Sequence, residues 1–336
     1  MSTSKIFITG SAGFVGFHLA SLLLEEGFIV HGYDGLTDYY DVSLKKDRHS
    51  KLFLNKNFSA TIGMLEDHDS LWGAARDFQP DVIVHLAAQA GVRYSLENPR
   101  AYIDSNIIGT FNVMEIAREL NVKHLLMAST SSVYGANKNM PFNELERVET
   151  PLTIYAATKK ANETMAHSYA HLYGIPTTMF RFFTVYGPWG RPDMALFKFT
   201  KGILEGTMID IYNNGEMYRD FTFVTDLVQG IKGLINTIPA NEKDYFENDS
   251  LSPVAPFRVV NIGNSEKVKL LDFIEAIEEE LGIKANRNYM EMQTGDVPAT
   301  WADTQLISNL TGFEPKVSYR EGVSKFISWY KDYFKV

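Results

Sequence analysis

Short apolar runs alternate with longer stretches of helical spacing through the first half of the chain. Ile6-Phe-Ile8 is followed by a helix signature from Val15 to Leu24, then by the short run Ile29-Val30. Phe58 to Ile62 and Val82-Ile-Val84 predict a third and a fourth strand. A helix through Ile107, Phe111, Met114 and Ile116 leads to His124-Leu-Leu-Met127, and a second long helix, Ile154 to Tyr173, leads to Thr177-Thr-Met-Phe180. Runs that are apolar without alternation, separated by helices, mark strands buried on both faces of a parallel sheet. The expected fold is therefore α/β with a doubly wound parallel sheet, whose ligands sit beyond the carboxyl ends of the strands.

After Arg181-Phe-Phe the texture changes. Gly187-Pro-Trp-Gly-Arg-Pro192 interrupts regular structure, and short helices, loops and isolated strands follow. The expected division is a nucleotide-binding domain over 1–183, rejoined by parts of 220–265, and a smaller C-terminal substrate lobe, mainly 184–336. Val259-Val-Asn-Ile262 is the segment expected to return to the main domain, and the polar stretch Asn241 to Pro256 reads as a surface insertion.

The chain has 336 residues, enough for a large core, and its 45% hydrophobic and 22% charged residues are ordinary for a globular enzyme. A net charge of -9 argues against non-specific binding to nucleic acid or anionic membrane. An anionic small molecule then requires a few arginines gathered in one cleft. The absence of cysteine excludes disulfides, thiolate metal sites and cysteine nucleophiles. Met1-Ser-Thr-Ser runs directly into Lys5-Ile-Phe-Ile-Thr9 without a leader pattern, and no apolar run reaches membrane-spanning length. A cytoplasmic location is expected.

Thr9-Gly10-Ser-Ala-Gly13-Phe14-Val15-Gly16 follows the first strand and opens the first helix. Glycines there permit a tight turn and close backbone approach, so the helix N-terminus can hold a pyrophosphate. Such a glycine pattern alone is weak; strand before and helix after give it weight. This makes the sheet Rossmann-like. Asp34, at the end of the second strand, is placed to bind ribose hydroxyls. It would repel a 2′-phosphate, and no arginine follows it closely, which favours NAD over NADP. Asp38 and Asp41 are competitors in the following loop.

Tyr155-Ala-Ala-Thr-Lys159 places a phenol and an ammonium on one helical face. A phenol is a poor base at neutral pH, and a nearby lysine together with a nicotinamide cation would lower its pKa. Ser129-Thr130-Ser131-Ser132 closes the fifth strand with hydroxyls that can share the proton. A Tyr/Lys pair or a serine cluster is common by itself; together with the glycine turn the set is specific.

With Gly10-x-x-Gly13-x-x-Gly16 and Tyr155-x-x-x-Lys159, the chain resembles the extended short-chain dehydrogenases over essentially its full length. Within that group it is most similar to the UDP-glucuronate 4-epimerases. The matching segments are Asp38-Tyr-Tyr-Asp-Val-Ser-Leu-Lys45, His85 to Pro99, Gly187 to Ala195, Arg219-Asp-Phe-Thr222 and Gly295-Asp-Val-Pro298. The resemblance implies that Tyr155 removes the sugar O4 proton with help from Thr130 while a hydride leaves C4 for NAD. The 4-keto sugar then turns, and the hydride returns to its other face. It further implies that Lys159 binds the nicotinamide ribose, that Leu65, Ala87 and Asn106 lie at the cofactor, and that Arg219 and Asp296 hold diphosphate and uridine ribose. NAD is regenerated in each cycle and stays bound. A homodimer through helices 99–120 and 154–173 is implied as well, with a UDP-sugar as the small-molecule partner.

Relatives diverge after the first oxidation. Dehydratases and decarboxylases of the group carry an acid two positions after the catalytic threonine, where this chain has Ser132. UDP-galactose 4-epimerases have asparagine at Thr184 and arginine at Gln293. A UDP-galactose or UDP-N-acetylhexosamine 4-epimerase, a decarboxylating UDP-glucuronate enzyme and a non-catalytic dinucleotide sensor are the alternatives; a sensor would typically have lost the Tyr155/Lys159 pair. Oxidising C4 of a uronic acid makes a β-keto acid, whose carboxylate must be held in an unreactive orientation. Thr184, Ser131 and Ser132 are the expected neutral donors. Arg93 and Arg191 could supply charge there, meet phosphate, or be structural. Gly63-Met64-Leu65 departs from the family's Gly-Asp-Leu/Ile, so an aspartate that reads adenine is replaced. His167 and His171, spaced i,i+4, lack a third ligand and read as helix surface, so no metal is expected. His85 reads as a packed, hydrogen-bonded histidine, and Tyr94, Phe182 and Trp301 are expected to line a sugar pocket.

Overall fold

The computed structural model describes residues 4–240, 248–293 and 295–336. Its first six strands are β1 (Lys5–Thr9), β2 (Ile29–Asp34), β3 (Phe58–Ile62), β4 (Val82–His85), β5 (His124–Thr130) and β6 (Thr177–Phe182). Strands β7 (Thr184–Tyr186), β8 (Met208–Ile211), β9 (Tyr218–Arg219) and β10 (Phe221–Phe223) follow, then β11 (Phe257–Ile262). The first six and β11 form one parallel sheet in the order β11-β6-β5-β4-β1-β2-β3. The order reverses between β1 and β4, so the carboxyl ends of these two strands open a crevice at the switch point. Every residue of β5 is buried, as its unalternating apolar run requires when helices cover both faces.

One face is covered by α1 (Phe14–Glu25) and, later in the chain, by residues 224–235 and 305–311. Their Leu19, Leu23, Leu227, Ile231 and Ile307 share a core with Ile6, Ile8 and Val260. Helix α2 (Val42–Leu52) flanks α1. The other face carries α3 (His68–Phe78), α6 (Thr110–Glu119) and α7 (Ile154–Tyr173), through Leu71, Met114 and Ala166 among others. Short helices α4 (Tyr94–Glu97) and α5 (Pro99–Tyr102) and a π-helical turn, Ile103–Gly109, precede α6, so the single helix expected through Ile107 is broken into pieces. Helix α7 has the bounds expected of it, with Thr153 accepting from the Ala156 N–H at one end and Gly174 in the left-handed conformation at the other.

Val259 to Ile262 joins the main sheet beside β6 as part of β11. The segment before it differs from a surface insertion. Residues 241–247 lie outside the described residues, but Leu251 and Ala255 are buried, and Asp249 makes a paired contact with Arg258 on β11 at 2.9 Å. The second lobe packs helices α8 (Ala195–Leu204), α10 (Leu270–Leu281) and α12 (Tyr319–Phe334) around Phe197, Phe273, Phe326 and Tyr330. The Phe221 and Phe273 rings stack 3.9 Å apart at 5°, which ties β10 and therefore its neighbour Arg219 to this aromatic core. Between α8 and α10 lies α9 (Val224–Ile235), which belongs to the first core, not to this one.

Candidate active site

A cleft of about 800 Å³ runs along the carboxyl edge of the sheet, from the ends of β1, β2 and β3 to those of β5 and β6. At one end the chain leaves β1 through Gly10, in the left-handed region at φ 78°; a Cβ there would sit 2.8 Å from the Ala87 nitrogen. A Cβ on Gly16 would lie 2.0 Å from the Gly10 carbonyl oxygen, so α1 can pack against its own turn only with glycine. Gly13 caps α1 without a side-chain hydrogen bond, and the first turn holds no acid. Its N–H groups and positive helix end face the cleft, whose walls include Gly10, Gly13, Phe14, Val15 and Gly16. Asp34 accepts from Ala12 N and Leu36 N, both at 2.9 Å, so the carboxylate is fixed where β2 meets the cleft. Backbone clearance, a bare helix end and a fixed carboxylate are what a dinucleotide requires, and these residues fit one.

Leu65 and Ala87 also line the cleft, as does Met64 where the resemblance leads one to expect an acid. Asn106 stands one layer back from the cleft. It is fully buried and behind the wall: its amide accepts from Gln89 N at 2.8 Å and donates to Gln89 O and Thr158 Oγ1. The π-helical turn aims it at the loop after β4, so it shapes the cleft through Gln89 instead of lining it.

At the middle of the cleft, Tyr155, Lys159 and Thr130 share one wall. Lys159 Nζ donates to Ala128 O at 2.9 Å, and burial lowers the lysine's pKa to about 8. Burial pushes the Tyr155 phenol up, and Thr130 and Arg191 only partly counter it. Within the protein alone desolvation therefore wins; the lowering expected from lysine and nicotinamide cation together belongs to the NAD-bound enzyme. Thr130 also accepts from the Ser132 N–H at 3.2 Å, which turns Ser131 and Ser132 into the cleft.

At the far end stand Thr184, Arg191, Arg219 and Asp296. Arg191 grips Asp193 through two nitrogens, 3.0 and 2.5 Å, and Tyr39 donates to the same carboxylate at 3.2 Å. Arg219 donates to its neighbour's carbonyl, Tyr218 O, and has no carboxylate within 4 Å among the described residues. Desolvation lowers its pKa, with Asp296 the opposing charge. Such a guanidinium is a ready anion site. Arg93 is outside the cleft wall; it stacks over Tyr212 at 4.5 Å and approaches Asp296 at 3.5 Å. Tyr94 and Phe182 line the cleft, whereas Trp301 lies outside it with Lys267 over its ring.

The model of the GDP-mannose 4,6 dehydratase family matches residues 7–326. The chain belongs to that family. As an extended short-chain dehydrogenase it is 54% identical over 334 residues to a probable UDP-glucuronate 4-epimerase of Rhizobium meliloti, covering 98% of each chain. It is 42% identical to UDP-glucuronate 4-epimerase 2 of Arabidopsis thaliana, spanning 98% of this chain and 76% of that protein. A crystal structure of the Bacillus cereus UDP-glucuronic acid 4-epimerase, in complex with UDP-glucuronic acid and NAD, superposes with a TM-score of 0.87 at 32% identity, covering 98% and 99% of the two chains.

Three groups in this family member escaped sequence reasoning. Tyr39, Lys45 and Gln89 all line the cleft. Their only signal was membership of matching segments, because none belongs to a spacing that carries chemistry by itself. His85, by contrast, is where a packed histidine belongs: buried between Thr9 and Thr110 hydroxyls, its pKa lowered to about 3 by burial. His167 and His171 bond to Ser252 Oγ and Val254 O.

Proposed function

We propose that this chain is a UDP-glucuronate 4-epimerase that uses tightly bound NAD. The observation that carries the reading is the sharing of one cleft by the Gly10–Gly16 turn, the Tyr155/Lys159/Thr130 set and Arg219, with only hydroxyls at Ser131 and Ser132. The names of its relatives agree.

Gly10, Gly13, Phe14, Val15, Gly16 and Asp34 hold the dinucleotide, with Leu65 and Ala87 against it. Bound NAD supplies a reversible hydride acceptor for sugar C4. Tyr155 takes the O4 proton and later gives it back; Thr130 shares that proton. Lys159 holds the nicotinamide ribose, and its charge next to the phenol favours the phenolate. Arg219 and Asp296 anchor the nucleotide, so the 4-keto sugar can turn while the diphosphate stays. Thr184, Ser131 and Ser132 hold the carboxylate, and Arg191 meets the diphosphate. Ser132 supplies no acid for elimination chemistry.

The same reading makes the protein a cytoplasmic homodimer. No described helix is long and apolar enough to cross a membrane. Ile103, Ile108 and Phe111, with Leu172 and Tyr173, leave large apolar side chains exposed on the helices that such a dimer would bury. Residues 1–183 with 220–265 would form the cofactor domain, and most of 184–336 the UDP-sugar lobe.

The test is incubation with UDP-glucuronate and NAD, followed by NMR. UDP-galacturonate without net NADH is expected. UDP-pentose with carbon dioxide, or turnover confined to UDP-glucose or UDP-N-acetylglucosamine, would refute the reading.

A further inference from the structure

Arg48, on α2, is the largest fully buried side chain among the described residues, with no exposed surface at all. No carboxylate lies within salt-bridge distance of it among the described residues. Removing a cation from water costs several kcal/mol unless a counter-charge compensates, so a buried unpaired guanidinium is rarely a filler of space. Its donors go to three separate loops. One nitrogen donates to Ala12 O and to the Tyr40 hydroxyl, both at 2.8 Å. The other donates to Trp189 O at 2.6 Å and reaches Gly190 O at 3.4 Å. Nε has no partner.

Those acceptors belong to the two ends of the cleft. Ala12 sits inside the Gly10–Gly16 turn, and the two peptides flanking it are both held: its N–H by Asp34, its carbonyl by Arg48. Gly190 immediately precedes Arg191, and Tyr40 follows Tyr39, which bonds the Arg191 partner Asp193. The loop carrying Trp189 docks on the same helices, with His18 Nε2 2.8 Å from Pro188 O and Phe17 against the Trp189 ring at 5.5 Å. One guanidinium fork therefore spans the dinucleotide turn and the loop that presents Arg191.

We propose that Arg48 is a positioning residue that couples the two ligand sites. Filling the dinucleotide turn pre-arranges the Arg191 loop for the nucleotide sugar, and the reverse holds by linkage. The charge, left without a carboxylate, also favours anionic diphosphates on either side. A lysine could not reproduce the coupling, because one ammonium cannot reach acceptors in three loops with a planar fork. The inference rests on the epimerase reading above.

The experiment is calorimetric titration of UDP into the protein freed of dinucleotide and into the protein loaded with NAD, for wild type, Arg48→Lys and Arg48→Met. Circular dichroism checks folding of each. In wild type, NAD is expected to tighten UDP binding by about tenfold, a ratio that falls towards about one in Arg48→Met and stays below wild type in Arg48→Lys. A generally loosened fold would weaken both UDP constants and leave their ratio unchanged, so an unchanged ratio overturns the proposal. A wild-type ratio of one overturns it too, even if neither variant folds. Wild type that binds NAD but not UDP would instead overturn the functional reading itself.

Discussion

The Lys159 ammonium donates to the Ala128 carbonyl at 2.9 Å, and that carbonyl stands two residues before Thr130 on β5. One helical turn further on, Glu163 accepts from the Ser129 hydroxyl at 2.6 Å. Tyr155, Lys159 and Glu163 thus form one stripe of α7 laid along Ala128-Ser129-Thr130, and the two bonds beyond Tyr155 hold α7 against the end of β5 where Thr130 stands.

Tyr155→Phe should lower kcat by about 10³-fold while leaving UDP affinity near wild type, because the proton acceptor is lost and no binding group is. Thr130→Val should act through pH. Thr130 lowers the phenol's pKa against the burial that raises it, so its removal moves the rising limb of the rate profile to higher pH. A pH–kcat profile unchanged in Thr130→Val would remove Thr130 from the proton path.

Lys159 carries a stability signature. Its folded pKa, about 8, lies below the ordinary lysine value because burial disfavours the ammonium. A depressed lysine opposes folding while protonated. The penalty, roughly 3 kcal/mol, is full below about pH 8 and is relieved as pH rises towards the unfolded value. In the cofactor-free protein, Lys159→Met should be more stable than wild type near neutrality and lose that advantage by about pH 10. Urea unfolding at several pH values measures the difference.

Glu163→Gln should destabilise by about 3–5 kcal/mol, since it leaves the Arg181 guanidinium buried without its counter-charge. Burial acts to raise the Glu163 pKa, but Arg181 and the Ser129 hydroxyl outweigh it and hold it low. The stability it adds is present above the unfolded glutamate pKa and is lost as pH falls through the folded one. A wild-type melt that did not fall more steeply than that of the variant on acidification would contradict this.

Thr184→Val should divert part of the flux to UDP-pentose and carbon dioxide, because a carboxylate with one donor fewer can rotate towards the orientation that cleaves. Product ratios by NMR decide it; unchanged epimerisation without decarboxylation would take Thr184 out of the clamp.

What could be known from residues alone was whatever depends on neighbours in sequence. The unbroken apolar runs announced β1, β4 and β5 because a strand buried on both faces cannot alternate, whereas β3, at the sheet edge, is partly exposed. Gly10, Gly13 and Gly16 announced the turn because its geometry is local, and Tyr155 with Lys159 because four residues bring a helix back to one face. Asp34 was legible for the same reason, as the end of a strand that follows a helix.

Long-range contacts had no such signature. Asn106 bonds Gln89 of the cleft wall, a contact that spacing does not announce, because a π-helical turn aims the side chain there. Arg93 and Trp301 fall outside the cleft, while Tyr39 enters it from the loop before α2 and Lys45 from the first turn of α2, whose placement depends on the Trp189 segment. The upward pull of burial on the Tyr155 phenol was not legible, because burial is a property of the packed fold and not of the spacing to Lys159. Arg48 was invisible: its four acceptors are 8 to 142 residues away in the chain. The sequence by itself determined the sheet, the turn and the catalytic pair, through local periodicity. Only tertiary structure decided which charges are buried, which are paired and which face the cleft, because solvent exclusion and pairing arise where distant segments meet.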